Sequence, residues 1–279
     1  MSQFKRGFGI AGQSWRTLRS HRSLAAFPIL GGAMALVVVA PPALAGAYLV
    51  DRCDTVPGAI LGAVAIYLVC FVSAFIGVGL AAAADAALRG EDASFGQGLR
   101  VAMSRLVAIS GWALINALLS IVLRALETRS ELATIAAALV GGAWSVVSLL
   151  AIPAIALEDA GPIEAIKRSG SLFKQHWGGR VTGMAGIGVF VLVMLPAMAL
   201  MAVGALILSD GGSAGIGGGA ALLALGAVVF AGAAVLSNAL RQIFAVALFR
   251  FTTSGEAIGG FDAADLEHAV RVKRRPAVA

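Results

Sequence analysis

Six apolar runs divide the chain, at Leu24 to Val50, Val56 to Ala84, Val107 to Leu123, Leu132 to Leu157, Val181 to Leu208 and Ala220 to Phe249. Each reaches the about 17 residues that a helix needs to cross bilayer hydrocarbon, and several are long enough to tilt. Three intervening polar segments carry a helical stripe. The stripes are Phe4, Phe8, Ala11, Trp15 and Leu18, then Phe95, Leu99, Ala102 and Leu106, then Ile163, Ile166, Gly170, Phe173 and Trp177. Spacings of three, four and seven residues put each set on one face. The cations Lys5, Arg16 and Arg19, then Arg100 and Arg105, then Lys167, Arg168 and Lys174 fall on other faces. A helix so built lies in the headgroup plane, its aromatics at the acyl boundary and its cations on anionic lipid.

The pattern predicts an all-α polytopic membrane helix bundle of six transmembrane helices, arranged as three repeats of one interfacial amphipathic helix plus two spans. The units are residues 1–88, 89–160 and 161–260, within a single membrane domain 1–260 followed by a basic tail 261–279. Gly90-Glu91 ahead of Phe95 echoes Gly255-Glu256 ahead of Phe261. Against a repeat stands the simpler reading that polytopic proteins commonly carry basic amphipathic linkers.

Composition agrees with the spans. The 279 residues are 59% apolar and 13% charged, with mean hydropathy +0.91, against about 45–50% and about 25% in soluble domains. No polar segment is long enough to bury an independent core. A net charge of +6 spread along membrane-flanking segments points to anionic headgroups rather than nucleic acid. Of the 21 Lys and Arg, 17 fall on one side of this threading. They are Lys5, Arg6, Arg16, Arg19 and Arg22; Arg89, Arg100 and Arg105; Lys167, Arg168, Lys174 and Arg180; and Arg250, Arg271, Lys273, Arg274 and Arg275. Only Arg52, Arg124 and Arg129 lie opposite. The positive-inside rule therefore puts both termini in the cytoplasm and the protein in the cytoplasmic membrane. The Ala43-Leu44-Ala45 stretch imitates a signal-peptide cleavage site. A 23-residue leader and apolar character continuing to Val50 favour a retained span instead.

The remaining cation, Arg241, lies inside the sixth run beside Ser237, Asn238 and Gln242. Positions 238, 241 and 242 share one helix face, and an intramembrane charge marks a candidate site. Asp85, at the end of the second span, is its expected counter-ion; the structural alternative is that Arg241 snorkels to the interface or locks two helices together. Asn116 and Ser120 sit four apart in the third span, where they line a polar path or serve as interhelical hydrogen-bonding glue. Prolines at Pro41, Pro42, Pro153 and Pro196 can break helices, as in many transporters. Trp112 and Tyr48 are expected at opposite interfaces, Trp144 and Tyr67 in the core. Gly58 and Gly62 form a G-x-x-x-G packing signal.

Other motifs carry nothing. Gly211 to Gly215 matches G-x-S-x-G, and Gly215, Gly217 and Ala220 imitate a dinucleotide fingerprint, yet neither follows a strand. Two cysteines give no disulfide framework and no metal spacing, so neither a metal nor a cofactor is expected.

The stretch from Gly7-Phe8 through Ser14-Trp15-Arg16-Thr17-Leu18 to Ala26-Phe27-Pro28, and the segment Pro153 to Ser169, resemble an uncharacterised family of bacterial six-span membrane proteins. The second segment is also similar to the membrane domain attached to some glycerophosphodiester phosphodiesterases. The resemblance implies a six-span fold and no established activity; the soluble phosphodiesterase barrel has no counterpart here. The function expected is that of a non-enzymatic scaffold or lipid-interacting accessory with membrane-lipid and unidentified protein partners. The runner-up is a small-solute or lipid transporter using broken helices and Arg241, and an intramembrane enzyme ranks third. The threading is testable: on cells given envelope access, a membrane-impermeant maleimide labels Cys53, and labelling that needs lysis would reverse the orientation.

Overall fold

The computed structural model describes residues 3–52, 54–177, 187–209, 213–255, 257–261 and 266. Their regular structure is helical throughout, with no strand among the described residues. In chain order the elements are α1 (Gln3–Ser20), α2 (Arg22–Met34), a π-helical turn (Ala35–Val39), α3 (Ala40–Asp51), α4 (Thr55–Leu88), α5 (Phe95–Ser104), α6 (Leu106–Glu127), α7 (Glu131–Glu158), α8 (Pro162–Trp177), α9 (Ile187–Ser209) and α10 (Ser213–Ser254).

Five stretches are long and apolar enough to cross a membrane: Ser23–Asp51, Thr55–Leu88, Leu106–Glu127, Glu131–Glu158 and Gly217–Ser254. Each brackets a run predicted from sequence to within a few residues at either end. The fifth predicted run falls on α9, its start at Val181 lying outside the described residues; Met194–Ser209 is a shorter apolar helix. Large side chains on these helices face outward, among them Val107 at 89% and Leu132 at 80% exposure. In water such a belt would drive association; in lipid it is the surface a spanning helix requires. The chain is a multi-pass, membrane-embedded protein.

Helix ends follow from local chemistry. Ser130 caps α7 by accepting a hydrogen bond from the Ala133 amide at 3.2 Å, satisfying a backbone donor that the first turn cannot. Long helices α4 and α10 each stop near a glycine with φ +75°, Gly90 and Gly255, a conformation that costs glycine little.

The α-helix of the first span is interrupted just before Pro41 by a π-helical turn, but the expectation of breaks at Pro153 and Pro196 is not met. Helix α7 runs through Pro153 and α9 through Pro196. In the first span, Pro41 and Pro42 remove the donors that would reach back into Ala35–Val39, and that segment widens into a π turn while the helix continues. In hydrocarbon such a local adjustment is less costly than unwinding, which would strand more backbone groups.

Helix α4 is central, packing on α2, α3, α5, α6, α7 and α10. Its second half is almost wholly buried, against Leu149–Ala156 of α7 and Ile243–Phe249 of α10. The core therefore sits toward the end of the bundle where α4 and α10 finish, hereafter the charged end. The amphipathic helices α5 and α8 pack there. Gly98 of α5 lies on the Gly79 carbonyl and the Phe27 ring, Phe27 tilts on Phe95 at 4.7 Å, and the Ser23 hydroxyl donates to the Ala93 carbonyl at 2.6 Å. Pro162, opening α8, lies on Gly111 of α6. Phe261, at the start of the predicted tail, is buried against Phe244; Leu266 is buried too, and the tail's cations lie outside the described residues.

At the other end α3 and α4 meet through glycines. A Cβ on Gly58 would fall 2.6 Å from Val50 Cγ2 and 2.9 Å from the Gly46 carbonyl oxygen, whereas one on Gly62 meets nothing within 4 Å. Gly58→Leu is therefore expected to cost about 1–3 kcal/mol through overpacking and to lower the thermal midpoint in detergent. Gly62→Leu leaves the midpoint near wild type.

Candidate functional site

A cavity of about 220 Å³ lies among α4, α6, α7 and α10. Helix α10 contributes Asn238, Arg241 and Gln242, α4 contributes Cys70 and Ser73, α6 contributes Trp112 and Asn116, and α7 contributes Ser148. Four of the six residues expected from sequence to form an intramembrane polar site thus converge: Asn116, Asn238, Arg241 and Gln242. Ser120, one turn beyond Asn116, lies outside the lining, and so does Asp85.

Depth follows from counting along helices. At 1.5 Å per residue, the lining residues lie roughly 9–24 Å inward from Arg105, Glu158, Asp85 and Arg250 at the charged end, with Arg241 at about 13 Å. Against a hydrocarbon thickness of about 30 Å, that is near mid-depth. Val69, 48% exposed, and the exposed Ser73, Asn238 and Arg241 surround the cavity on α4 and α10, so the opening is lateral, between these two helices.

Arg241 reaches across to α7, where its Nη2 donates to the Ser145 carbonyl at 3.0 Å. That contact fits the helix-locking alternative, yet it occupies one of five guanidinium donors. Gln242 packs its amide over Gly77 of α4, where a Cβ would come within 3.2 Å of Nε2. Its Oε1 is buried and has no hydrogen-bond partner among the described residues. Asn116 is engaged at both ends of its amide: Nδ2 donates to the Trp112 carbonyl at 2.8 Å, and Oδ1 accepts from Trp144 Nε1 at 3.0 Å. It is therefore the interhelical glue of the two alternatives, joining α6 to α7. Trp112 stacks on Trp144 at 5.6 Å and is only 4% exposed. The expected interfacial role of Trp112 is thus corrected to a wall of the cavity, because its partner at this depth is an indole rather than headgroup water. Tyr48, by contrast, is exposed and lies beneath the Arg52 guanidinium at 5.0 Å.

Asp85 does not pair with Arg241. Its carboxylate, in a residue only 2% exposed, accepts two hydrogen bonds from Arg250, at 2.6 Å from Nε and 2.8 Å from Nη2. A third contact at 3.0 Å comes from Arg89, one turn along α4. The reason is reach. Asp85 stands three residues from the end of α4, level with Arg250, whereas Arg241 is about 13 Å deeper along α10. Sequence had counted Arg250 only as a flanking charge; its bidentate geometry has no one-dimensional signal.

Two of the eight cations expected to form a headgroup-facing collar on the amphipathic helices are also committed within the protein. Arg105 pairs with Asp159, a left-handed residue with φ 57° after α7. Arg168 forms a bidentate pair with Glu158 at 2.7 and 2.9 Å, and these hydrogen bonds push the Arg168 guanidinium above its ordinary pKa. Such pairs tie α5 and α8 to the end of α7. Arg16, Arg19, Arg100, Lys167 and Lys174 stay exposed, and the Lys5 side chain lies outside the described residues. Beside Arg19 and Trp15, an apolar groove of about 680 Å³ runs between α1, α2 and α10 past Leu18, Pro28, Ile29 and Leu236. Among the described residues no cluster of His, Cys, Asp and Glu could hold a metal.

Over residues 59–260, which hold the cavity and the Asp85 clamp alike, the chain matches a family of unknown function, DUF6159. The chain belongs to that family. No curated protein matches, and no solved structure does. Membership brings no activity with it.

Breaking the clamp should be measurable. Asp85→Asn leaves Arg250, with a side chain 33% exposed, without its carboxylate, and leaves Arg89, 44% exposed, with Glu91 alone. The expected loss lies between the ~0–1 kcal/mol of a surface pair and the ~3–5 kcal/mol of a fully buried one. A double-mutant cycle with Arg250→Gln, read by thermal unfolding in detergent, should give a coupling of about 1–3 kcal/mol.

Proposed function

We propose that this protein is a non-enzymatic, six-span component of the bacterial cytoplasmic membrane, with both termini in the cytoplasm, acting as a lipid-interacting accessory or scaffold. The observation that carries this reading is the grouping of the amphipathic helices at the charged end. There α5 and α8 are braced by ion pairs while Arg16, Arg19, Arg100, Lys167 and Lys174 remain exposed. Cations held on rigid helices beside aromatic and apolar faces attract anionic headgroups, each worth about 1 kcal/mol near the surface. The apolar groove beside Arg19 supports the same reading, since it offers an acyl chain a slot with a cation at its edge.

Element order supports the three units: a short amphipathic helix precedes two long apolar segments in each of 1–88, 89–160 and 161–260. So do the matching φ +75° glycines that close α4 and α10. Helix α9, 23 residues long, supports a sixth span. A second reading, transport of a small solute or lipid, draws on the polar cavity alone, since the helices run unbroken through Pro153 and Pro196.

Lipid retention tests the first reading. Purified from membranes of mixed phosphatidylcholine and phosphatidylglycerol, the wild-type protein should retain anionic lipid in excess of its bulk share. A variant with Arg16, Arg19, Arg100, Lys167 and Lys174 all changed to Gln should lose most of that excess, as read by lipid mass spectrometry. Equal enrichment in both would sink the proposal.

A further inference from the structure

The cavity at Arg241 has a chemistry separate from the collar. A guanidinium near the middle of a bilayer is costly and is ordinarily compensated by a partner or a wet cavity. Arg241 has only the Ser145 carbonyl among its described partners. The acids that could approach from the charged end are committed elsewhere: Asp85 to Arg250 and Arg89, Glu158 to Arg168, Asp159 to Arg105. The cavity is thus left with an unneutralised positive charge at low dielectric, where an anion is bound most strongly.

The neighbouring groups narrow the anion's class. Asn238, three residues before Arg241, contributes amide donors from the same helix, and Ser73 contributes a hydroxyl from the facing α4. Donors on two walls suit an anion with several acceptor oxygens in three dimensions, as phosphate has, better than a planar carboxylate held by one fork. Gln242 Oε1 is the opposite kind of group, a buried acceptor without a donor; turning the amide of this lining residue toward the cavity would let a ligand hydroxyl or amine recover the cost of leaving it unpaired. Size agrees. At about 220 Å³ the cavity is smaller than the ~300–1,000 Å³ of pockets that enclose whole small molecules, so it suits a head group with the rest of an amphiphile outside. Its walls are rigid before binding, because the stacked Trp112 and Trp144 are braced by Asn116, which reduces the ordering cost of binding.

We propose that this cavity is an intramembrane binding site for a phosphate-class oxyanion that carries its own hydroxyl or amine donor. Arg241 and Asn238 hold the oxyanion and Gln242 Oε1 accepts the donor. The site stands on the cavity, independently of the collar and the reading drawn from it.

The test uses the full chain in neutral detergent with two probes, inorganic phosphate and short-chain phosphatidylglycerol, and reads affinity by ligand-dependent thermal shift. At least one probe binds, and Arg241→Gln weakens it by about tenfold or more. Arg241→Lys, which keeps the charge and loses the fork, falls between. The five-Gln collar variant keeps wild-type cavity affinity, so failure of the collar reading and failure of this one are separable. Binding of phosphatidylglycerol alone supports the site with a lipid headgroup as its source; binding of inorganic phosphate as well supports it with a free anion. The proposal is overturned if neither probe binds the folded wild type, or if affinity is unchanged in Arg241→Gln. Should Arg241→Gln not fold, Cys70 on the cavity wall gives a second readout in a Cys53→Ser chain. Bound probe slows its alkylation by N-ethylmaleimide, and an unchanged rate overturns the site.

Discussion

The clamp of one buried carboxylate by two arginines sets much of this architecture. Asp85 sits where α4, the central helix, reaches the charged end, and Arg250 grips it with two hydrogen bonds while Arg89 closes from the following turn. A carboxylate so buried must be paired, because the desolvation cost of an isolated charge exceeds what the bundle could supply. Satisfying Asp85 from α10 brings the last turns of α10 against α4. From there the tight packing of Val78–Leu88 on Ile243–Phe249 follows. The same pairing decides what remains deeper down: with Asp85 engaged, Arg241 has no carboxylate among the described residues, and the space beside it stays polar.

The bundle is accordingly uneven along its axis. At the charged end, small residues and ion pairs hold helices close: Gly79 against Gly98, Gly111 against Pro162, Arg105 with Asp159, Arg168 with Glu158. Interhelical attraction in lipid comes from close packing and hydrogen bonds rather than from the hydrophobic effect, so these contacts supply the cohesion where α5 and α8 pack. Toward mid-depth the cavity lies between α4 and α10, with Val69, Ser73 and Asn238 in its lining. Close packing at the charged end and a cavity near mid-depth place a cationic pocket among α4, α6, α7 and α10.

Much of the fold was legible in one dimension. Five predicted runs coincide with long apolar helices because a membrane span is a property of local composition: roughly 20 apolar residues satisfy their own backbone and need no partner to be recognised. The amphipathic stripes were legible for the same reason, as helical periodicity is local. Asn238, Arg241 and Gln242 share a face by spacing alone, and Asn116 was singled out as a polar residue in an apolar run; all four line the cavity. The breaks at Pro153 and Pro196 were misjudged because a kink depends on how neighbours re-satisfy two or three carbonyls, whereas beside Pro41 the α-helix does give way to a π turn at Ala35–Val39.

The chain's own order of residues determined that it is a helical membrane bundle, which segments are apolar, where amphipathic helices begin and which polar groups sit at depth. Partner choice belonged to the tertiary structure. Whether Asp85 meets Arg241 or Arg250, whether Asn116 faces a path or braces Trp144, and whether Arg105 and Arg168 reach lipid or Asp159 and Glu158 all turn on ångström differences in axial level between helices far apart in sequence. Hydrogen bonds, including those within the bidentate pairs, fall away within about 1 Å of their optimum distance. Sequence periodicity defines a face and an approximate depth, and only the packed helices bring the paired atoms to the same level.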